Sequence, residues 1–187
     1  EIMLARPLCP TLVQVLQFNG GIGHGLEAAM AVRPATFANV DTAADDTCVI
    51  AFTSGTTGEP KAAVHFHRDV MAACACWPPH VLRAEPDDRV IGSPPLAFTF
   101  GLGGLLLFPM SIGAASVLVE KASPDALPAA VAQYRATICY TSPTAYRAMA
   151  GQLGGHDISS LRKCVSAGEA LPAATRQLWR ETTGIQM

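Results

Sequence analysis

At 187 residues, 50% hydrophobic and only 15% charged, the chain is long enough for one α/β core built on a well-buried sheet. Its formal charge of −2 leaves no basic stripe for nucleic acid, and no polybasic or amphipathic segment suits a membrane surface, so neither partner is expected. The longest apolar passage, Leu102 to Phe108, runs into Pro109, Ser111 and Gly113, which is too short and too broken to span a bilayer.

In chain order, Thr11 to Phe18 reads as a strand. A Gly-rich break from Asn19 to Gly25 and a linker rich in Ala, Pro and Asp carry the chain to Thr47. Cys48 to Thr53 is β-branched and aromatic and reads as a buried strand. A helix follows from about Arg68 through Cys76, ending before Pro78-Pro79, and Arg89 to Gly92 is a short strand. After Ser93-Pro94-Pro95 comes a helix from about Phe100 to Phe108, then a strand over Ala115 to Val119. Ser123-Pro124 supplies a cap and a first-turn proline for a helix whose Leu127, Val131 and Tyr134 form one stripe. Thr137 to Tyr140 is strand-like, Ser142-Pro143 caps a helix to about Ala150, Lys163 to Ser166 is strand-like, and Pro172 opens a helix through Thr182. This alternation builds βαβ units. The expected fold is a single α/β unit over residues 1–187, with a doubly wound, mostly parallel sheet and flanking helices.

The cysteines at 9, 48, 74, 76, 139 and 164 lie mostly in apolar runs without CxxC or His/Cys ligand spacing, and read as buried thiols. That usage and the lack of a signal-peptide pattern point to a cytoplasmic location. Because the chain starts at Glu1, a native N-terminus is expected to lie further upstream. His65 and His67 read as structural or loop residues.

Phe52 to Lys61 reads Phe-Thr-Ser-Gly-Thr-Thr-Gly-Glu-Pro-Lys. Gly55 and Gly58 let backbone approach a bulky anion, and the hydroxyls of Thr53, Ser54, Thr56 and Thr57 donate to phosphate oxygens. Successive N–H groups form a concave nest, and Lys61 adds a mobile charge. A Walker A loop needs Gly-Lys-Ser/Thr contiguous; here Glu59 and Pro60 separate Gly58 from Lys61, so the P-loop NTPase reading drops out.

Thr-Ser-Gly-Thr-Thr-Gly-x-Pro-Lys resembles the most specific signature of the AMP-forming adenylate synthetases, which include acyl-CoA ligases, luciferases and peptide-synthetase adenylation domains. Two further segments match in order. Pro95-Leu96-Ala97-Phe98-Thr99-Phe100-Gly101 is similar to the family's Pro-Leu-x-His-x-x-Gly, whose helix lines the acyl pocket. Phe98 stands where many members carry histidine, and an aromatic residue there resembles the benzoate and 2-aminobenzoate-CoA ligase group, which implies an aromatic acid; the alternative is that Phe98 and Phe100 are plain core residues. Val165-Ser166-Ala167-Gly168-Glu169-Ala170-Leu171-Pro172 resembles the adenine-contacting segment.

The resemblance implies part of the large domain of an adenylate-forming enzyme that converts an aromatic carboxylic acid to acyl-adenylate and then acyl-CoA, releasing AMP and pyrophosphate. It implies ATP, Mg2+ and coenzyme A as co-reactants and a small-molecule acid as substrate. ATP or AMP would be held by Thr53, Ser54, Gly55, Thr56, Thr57, Gly58, Lys61, Gly168, Glu169 and Ala170. The acid would be held by Phe98, Gly101, Ser166 and Ala167, with no metal ligand assigned. Catalytic participation would be limited to phosphate stabilisation by Lys61. The chain stops at Met187, ahead of the family's Tyr-Gly-x-Thr-Glu-like motif, its ribose-binding aspartate, and its mobile C-terminal domain with the catalytic lysine. Both ends are expected to be truncated and the isolated chain to be inactive. The rival readings are a peptide-synthetase-type adenylation domain, disfavoured because Ala97 to Gly104 carries no acidic residue, and a non-catalytic nucleotide-binding module.

Overall fold

The computed structural model describes residues 2–19, 25–53, 58 and 60–187. The sequence reads as one continuous unit, whereas the contacts separate residues 1–42 from residues 43–187. Within the first unit, α1 (Ile2–Ala5) runs into a 3-10 turn over Arg6–Leu8, and α2 spans Leu26–Ala31. Thr11 to Phe18 forms no strand: residues 12–17 have no regular structure, and no ladder takes up their backbone groups. The amide of Leu26 instead donates to the carbonyl of Gln17 at 3.0 Å.

In the second unit, β1 (Thr47–Thr53) pairs antiparallel with β2 (Lys61–Phe66), in a register from Thr47↔Phe66 to Thr53↔Lys61 that is irregular between Thr47 and Val49. This hairpin is a two-stranded sheet of its own. The expected burial of β1 is therefore corrected. Side chains of a strand alternate between faces, and with no second layer on the outer face Ile50 and Phe52 are 53% and 71% exposed. On the other face the hairpin meets α3 (His67–Cys76). Asp69 secures the start of that helix by accepting the Phe66 amide at 2.8 Å, and the Arg68 guanidinium lies 4.9 Å from the Phe66 ring centre.

Pro78-Pro79 does not end the helical path, as the sequence suggests. Two residues without N–H cannot continue an i→i−4 ladder, and the chain widens into a π-helical turn over Trp77–Leu82. A second widening, Gly103–Leu107, joins α4 (Thr99–Leu102) to α5 (Phe108–Ile112).

The main sheet is parallel, in the order β4 (Ala115–Val117), β3 (Arg89–Gly92), β5 (Ile138–Thr141), β6 (Lys163–Ser166). Its crossovers carry α6 (Leu127–Tyr134) and α7 (Pro143–Ala150), and α8 (Ala173–Thr183) follows β6. Successive strand residues feed opposite cores. Ile91 and Cys139 pack with Leu127, Val131, Tyr146, Met149 and Trp179 on one face. Val90, Ile138 and Tyr140 pack with Leu82 and Leu105 on the other. The Tyr146 and Trp179 rings meet edge-on with centroids 4.8 Å apart.

Two local expectations shift. Helix α6 starts at Leu127 rather than after Ser123, because the Ser123 carbonyl closes a turn by accepting the amides of Ala126 and Leu127, both at 3.0 Å. The thiols are not uniformly buried: Cys139 and Cys164 are, Cys74 is half-buried, and Cys9, Cys48 and Cys76 are exposed. Burial pushes the Cys164 thiol up to about 12, so it stays protonated at neutral pH. No helix among the described residues is long and apolar enough to cross a membrane.

Candidate functional site

Parallel strands deliver their carboxyl ends to one edge, and where neighbouring crossovers leave in opposite directions a crevice opens. Here that point lies between β3, whose crossover leads to β4, and β5 on its other side. Ser93, just past β3, donates its amide to the Tyr140 carbonyl at 3.0 Å, and its hydroxyl shares a hydrogen bond with that of Thr141 at the end of β5. Thr141 pairs in register with Ser166 at the end of β6. A row of hydroxyls from Ser93 through Thr141 to Ser166 thus edges the sheet. Ser166 Oγ is buried without a hydrogen-bond partner among the described residues. A buried hydroxyl left unmet costs stability, which native folds tolerate chiefly where the group has another task.

Beside Ser166 lies a recess of about 310 Å³, lined largely by the apolar side chains of Trp77, Val81, Leu82, Val165 and Met187. Trp77 Nε1 donates to the Tyr140 hydroxyl at 3.4 Å, and the Tyr140 ring stands 5.8 Å from that of Phe100. Gly104 makes this arrangement possible, since a Cβ there would lie 2.6 Å from Tyr140 Cδ1. A second cavity, of about 380 Å³, opens between the ends of β3 and β4 and is lined by Ser93, Pro94, Pro95, Leu105, Leu118 and Glu120 among others.

Of the acid-site residues expected from sequence, Ser166 and Ala167 sit at the end of β6, half-buried. Phe98 precedes α4 and is 64% exposed, so it is not a plain core residue. Gly101 is buried against the Ser93-Pro94-Pro95 turn; a Cβ would come within 2.1 Å of the Pro95 carbonyl oxygen, which makes its immediate role one of close packing. Gly168 takes φ +91°, the left-handed region, and Gly168, Glu169 and Ala170 are exposed between β6 and α8.

Of the phosphate-loop residues, Thr53 ends β1, Lys61 begins β2 directly opposite it, and Gly58 lies between them at φ +85°; all three are exposed. Ser54, Gly55, Thr56 and Thr57 lie outside the described residues. Among the described residues no hydrogen bond joins this hairpin to Ser166–Ala170.

Sequence reasoning passes over Ser93, Tyr140, Thr141 and Thr144. Thr141 closes β5, Tyr140 precedes it in that strand and Ser93 directly follows β3; a Ser/Thr at the last position before an X-Pro turn is the local signal that could have found Ser93 and Thr141. Thr144 accompanies Glu169: Glu169 Oε1 accepts from the Thr144 amide at 2.9 Å and from its hydroxyl at 2.6 Å. The Thr144 side chain first, then the Thr144 amide, holds the Glu169 carboxyl below its ordinary range, so it is ionised at neutral pH.

A sequence model of the AMP-binding enzyme family matches residues 7–187. The chain is 33% identical over 184 residues to a benzoate–CoA ligase of Thauera aromatica, covering 95% of this chain and 34% of the relative. It is 36% identical over 157 residues to a 3-hydroxybenzoate–CoA/4-hydroxybenzoate–CoA ligase of Thauera aromatica, covering 82% of this chain and 30% of the relative. Among solved structures it is similar to the anthranilate CoA ligase AuaEII in complex with anthranoyl-AMP. That match has TM-score 0.85 and 33% identity, covering 99% of this chain and 38% of that one. The chain spans about a third of the length of the curated relatives it matches. The parallel sheet with its flanking helices is the adenylate-forming fold, and a chain matched over nearly its whole length belongs to the AMP-binding enzyme family.

Proposed function

We propose that these residues are the central part of the large domain of an AMP-forming ligase that activates an aromatic carboxylic acid. The carboxylate attacks the α-phosphate of ATP, giving acyl-adenylate and pyrophosphate; the thiol of coenzyme A then takes the acyl group and AMP leaves. The observation that carries the reading is the likeness, over almost the whole chain, to a ligase solved with an aromatic acyl-adenylate.

Two anions must be brought together, so the chain's task is orientation and charge neutralisation. Thr53, Ser54, Gly55, Thr56, Thr57, Gly58 and Lys61 hold the phosphates; Lys61, exposed at the start of β2, brings the positive charge. Gly168 and Ala170 flank the adenine. The ring of the acid lies in the recess beside Ser166, with Trp77 and Val165 as walls; Ala167, next in the chain, and Phe98, exposed ahead of α4, are the further acid-site candidates. The Ser166 hydroxyl, without a partner among the described residues, meets the acyl group there. Mg2+ would enter as counter-ion of the ATP phosphates, and no residue here is assigned to it.

Calorimetry on the chain with a non-hydrolysable benzoyl-AMP analogue, AMP and ATP tests the reading. The analogue should bind at least tenfold more tightly than AMP, and Lys61→Ala should weaken ATP about tenfold while leaving AMP nearly unchanged. Equal affinity for analogue and AMP would reduce the chain to a nucleotide-binding module. For the substrate class, the longest open reading frame containing these residues should release pyrophosphate faster with benzoate-like than with short aliphatic acids. The 187 residues alone should form no measurable acyl-CoA.

A further inference from the structure

The connection from β6 to α8 is exposed at Gly168, Glu169 and Ala170, yet one of its side chains is anchored to another element through one carboxylate oxygen. Glu169 reaches back 25 residues to the first turn of α7, where its Oε1 accepts both the amide and the hydroxyl of Thr144. The opening turn of a helix has amides with no partner inside the helix. In α7 they are shared between two loops: Ser142 Oγ accepts the Ala145 amide at 3.2 Å, and Glu169 accepts that of Thr144. Positive φ at Gly168 accompanies the turn from which Glu169 reaches α7. With Oε1 taken by two donors of one residue, the carboxylate is held in place by α7.

We propose that Glu169 is a positioning residue rather than a nucleotide ligand. By tying the connection to the start of α7 it fixes the Gly168–Ala170 backbone relative to the ends of β5 and β6, and so sets the surface against which an acyl-adenylate rests. This rests on the ligase reading. The tether joins the acid side of the site, at Thr141 and Ser166, to the adenine side, so loosening it should weaken the acyl-adenylate without touching the phosphate loop.

The test compares Glu169→Ala, Glu169→Gln, Thr144→Val and the Glu169→Ala/Thr144→Val double variant. It reads the affinity for the benzoyl-AMP analogue and for tripolyphosphate by calorimetry, and hydrogen exchange at the Gly168 and Ala170 amides in the free chain. Glu169→Ala should weaken the analogue about tenfold and Thr144→Val about threefold, since the valine keeps its backbone amide, with tripolyphosphate unchanged. In the double variant the valine should cost nothing further. Glu169→Gln should recover most of the affinity, because an amide oxygen can accept the same two hydrogen bonds. Exchange should accelerate in the alanine variant and return toward normal in the glutamine variant. If Glu169→Gln binds as weakly as Glu169→Ala, the charge itself meets the ligand and the inference is overturned. Unchanged affinity and unchanged exchange in Glu169→Ala overturn it as well. Failure of the unsubstituted chain to bind the analogue overturns the ligase reading and the inference with it, and is recognised before any variant is made.

Discussion

The two ends of the parallel sheet use their polar groups in opposite ways. At the amino end the Asp88 carboxylate is 2% exposed and fully met: it accepts the Glu85 amide at 2.8 Å, the Thr137 hydroxyl at 2.6 Å and Arg162 Nε at 2.9 Å. Lys163 on the same side donates to the carbonyls of Leu82 and Arg83, closing the π-helical turn. At the carboxyl end Ser166 Oγ has no partner among the described residues, Phe98 stands exposed, and the recess that runs along β6 from Lys163 reaches Ser166. A closed polar network ties elements together; an end with unmet hydrogen-bonding capacity beside a cavity is where a ligand finds something left to bind.

Gly101→Ala should have the largest effect on this contrast. A methyl group would meet the Pro95 carbonyl, so the turn after β3 must move and the carboxyl end should come apart while the amino end holds. A loss of about 3 kcal/mol in urea unfolding is expected, and a loss under about 1 would mean the turn yields freely. Asp88→Asn strikes the other end and should cost about 2 kcal/mol, because Arg162 can turn to solvent but the Glu85 amide and Thr137 hydroxyl lose a charged acceptor.

Asp88 also predicts a pH dependence. Burial, the largest single influence, raises its pKa, but the hydrogen bonds from Arg162, Thr137 and Glu85 together outweigh it and hold the carboxyl below its ordinary value. A depressed folded-state value contributes stability that is present above the unfolded carboxyl pKa, near about 4, and is lost as pH falls through the lower folded value. Urea midpoints taken from neutral to acid pH should fall in that window for the unsubstituted chain and fall less for Asp88→Asn; parallel profiles would remove Asp88 as the cause.

Ser166→Ala should have the smallest effect on stability and the most telling sign. Removing a buried hydroxyl without a partner should leave the chain as stable or about 0.5–1 kcal/mol more so, while affinity for the benzoyl-AMP analogue falls. A destabilised Ser166→Ala would mean its hydroxyl is already satisfied, and the contrast between the ends would weaken.

Much of the second unit is legible residue by residue. Ser142-Pro143 combines a capping side chain with a first-turn proline, and α7 begins there with Ser142 Oγ on the Ala145 amide. The apolar runs at Arg89–Gly92 and Lys163–Ser166 become strands with the bounds their composition suggests. Thr11 to Phe18 has equal strand character but no ladder to join, and stays irregular. The candidate site divides the same way. Ser166 and Ala167 are found from their segment, whereas Tyr140, Thr141 and the pairing of Glu169 with Thr144 depend on strands and helices brought together from far apart in the chain.

What the amino-acid order alone determined is local: the start of α7 at Ser142-Pro143 and apolar runs of strand length. Those follow from backbone sterics and hydrogen bonds within a few residues. Tertiary structure decided that β1 pairs antiparallel with β2 instead of entering the parallel sheet, that Cys48 faces outward while Cys139 and Cys164 are enclosed, and that Glu169 is held by α7. Each of these depends on which distant surface covers a face or supplies a donor, and that partner is specified only once the whole sheet has assembled.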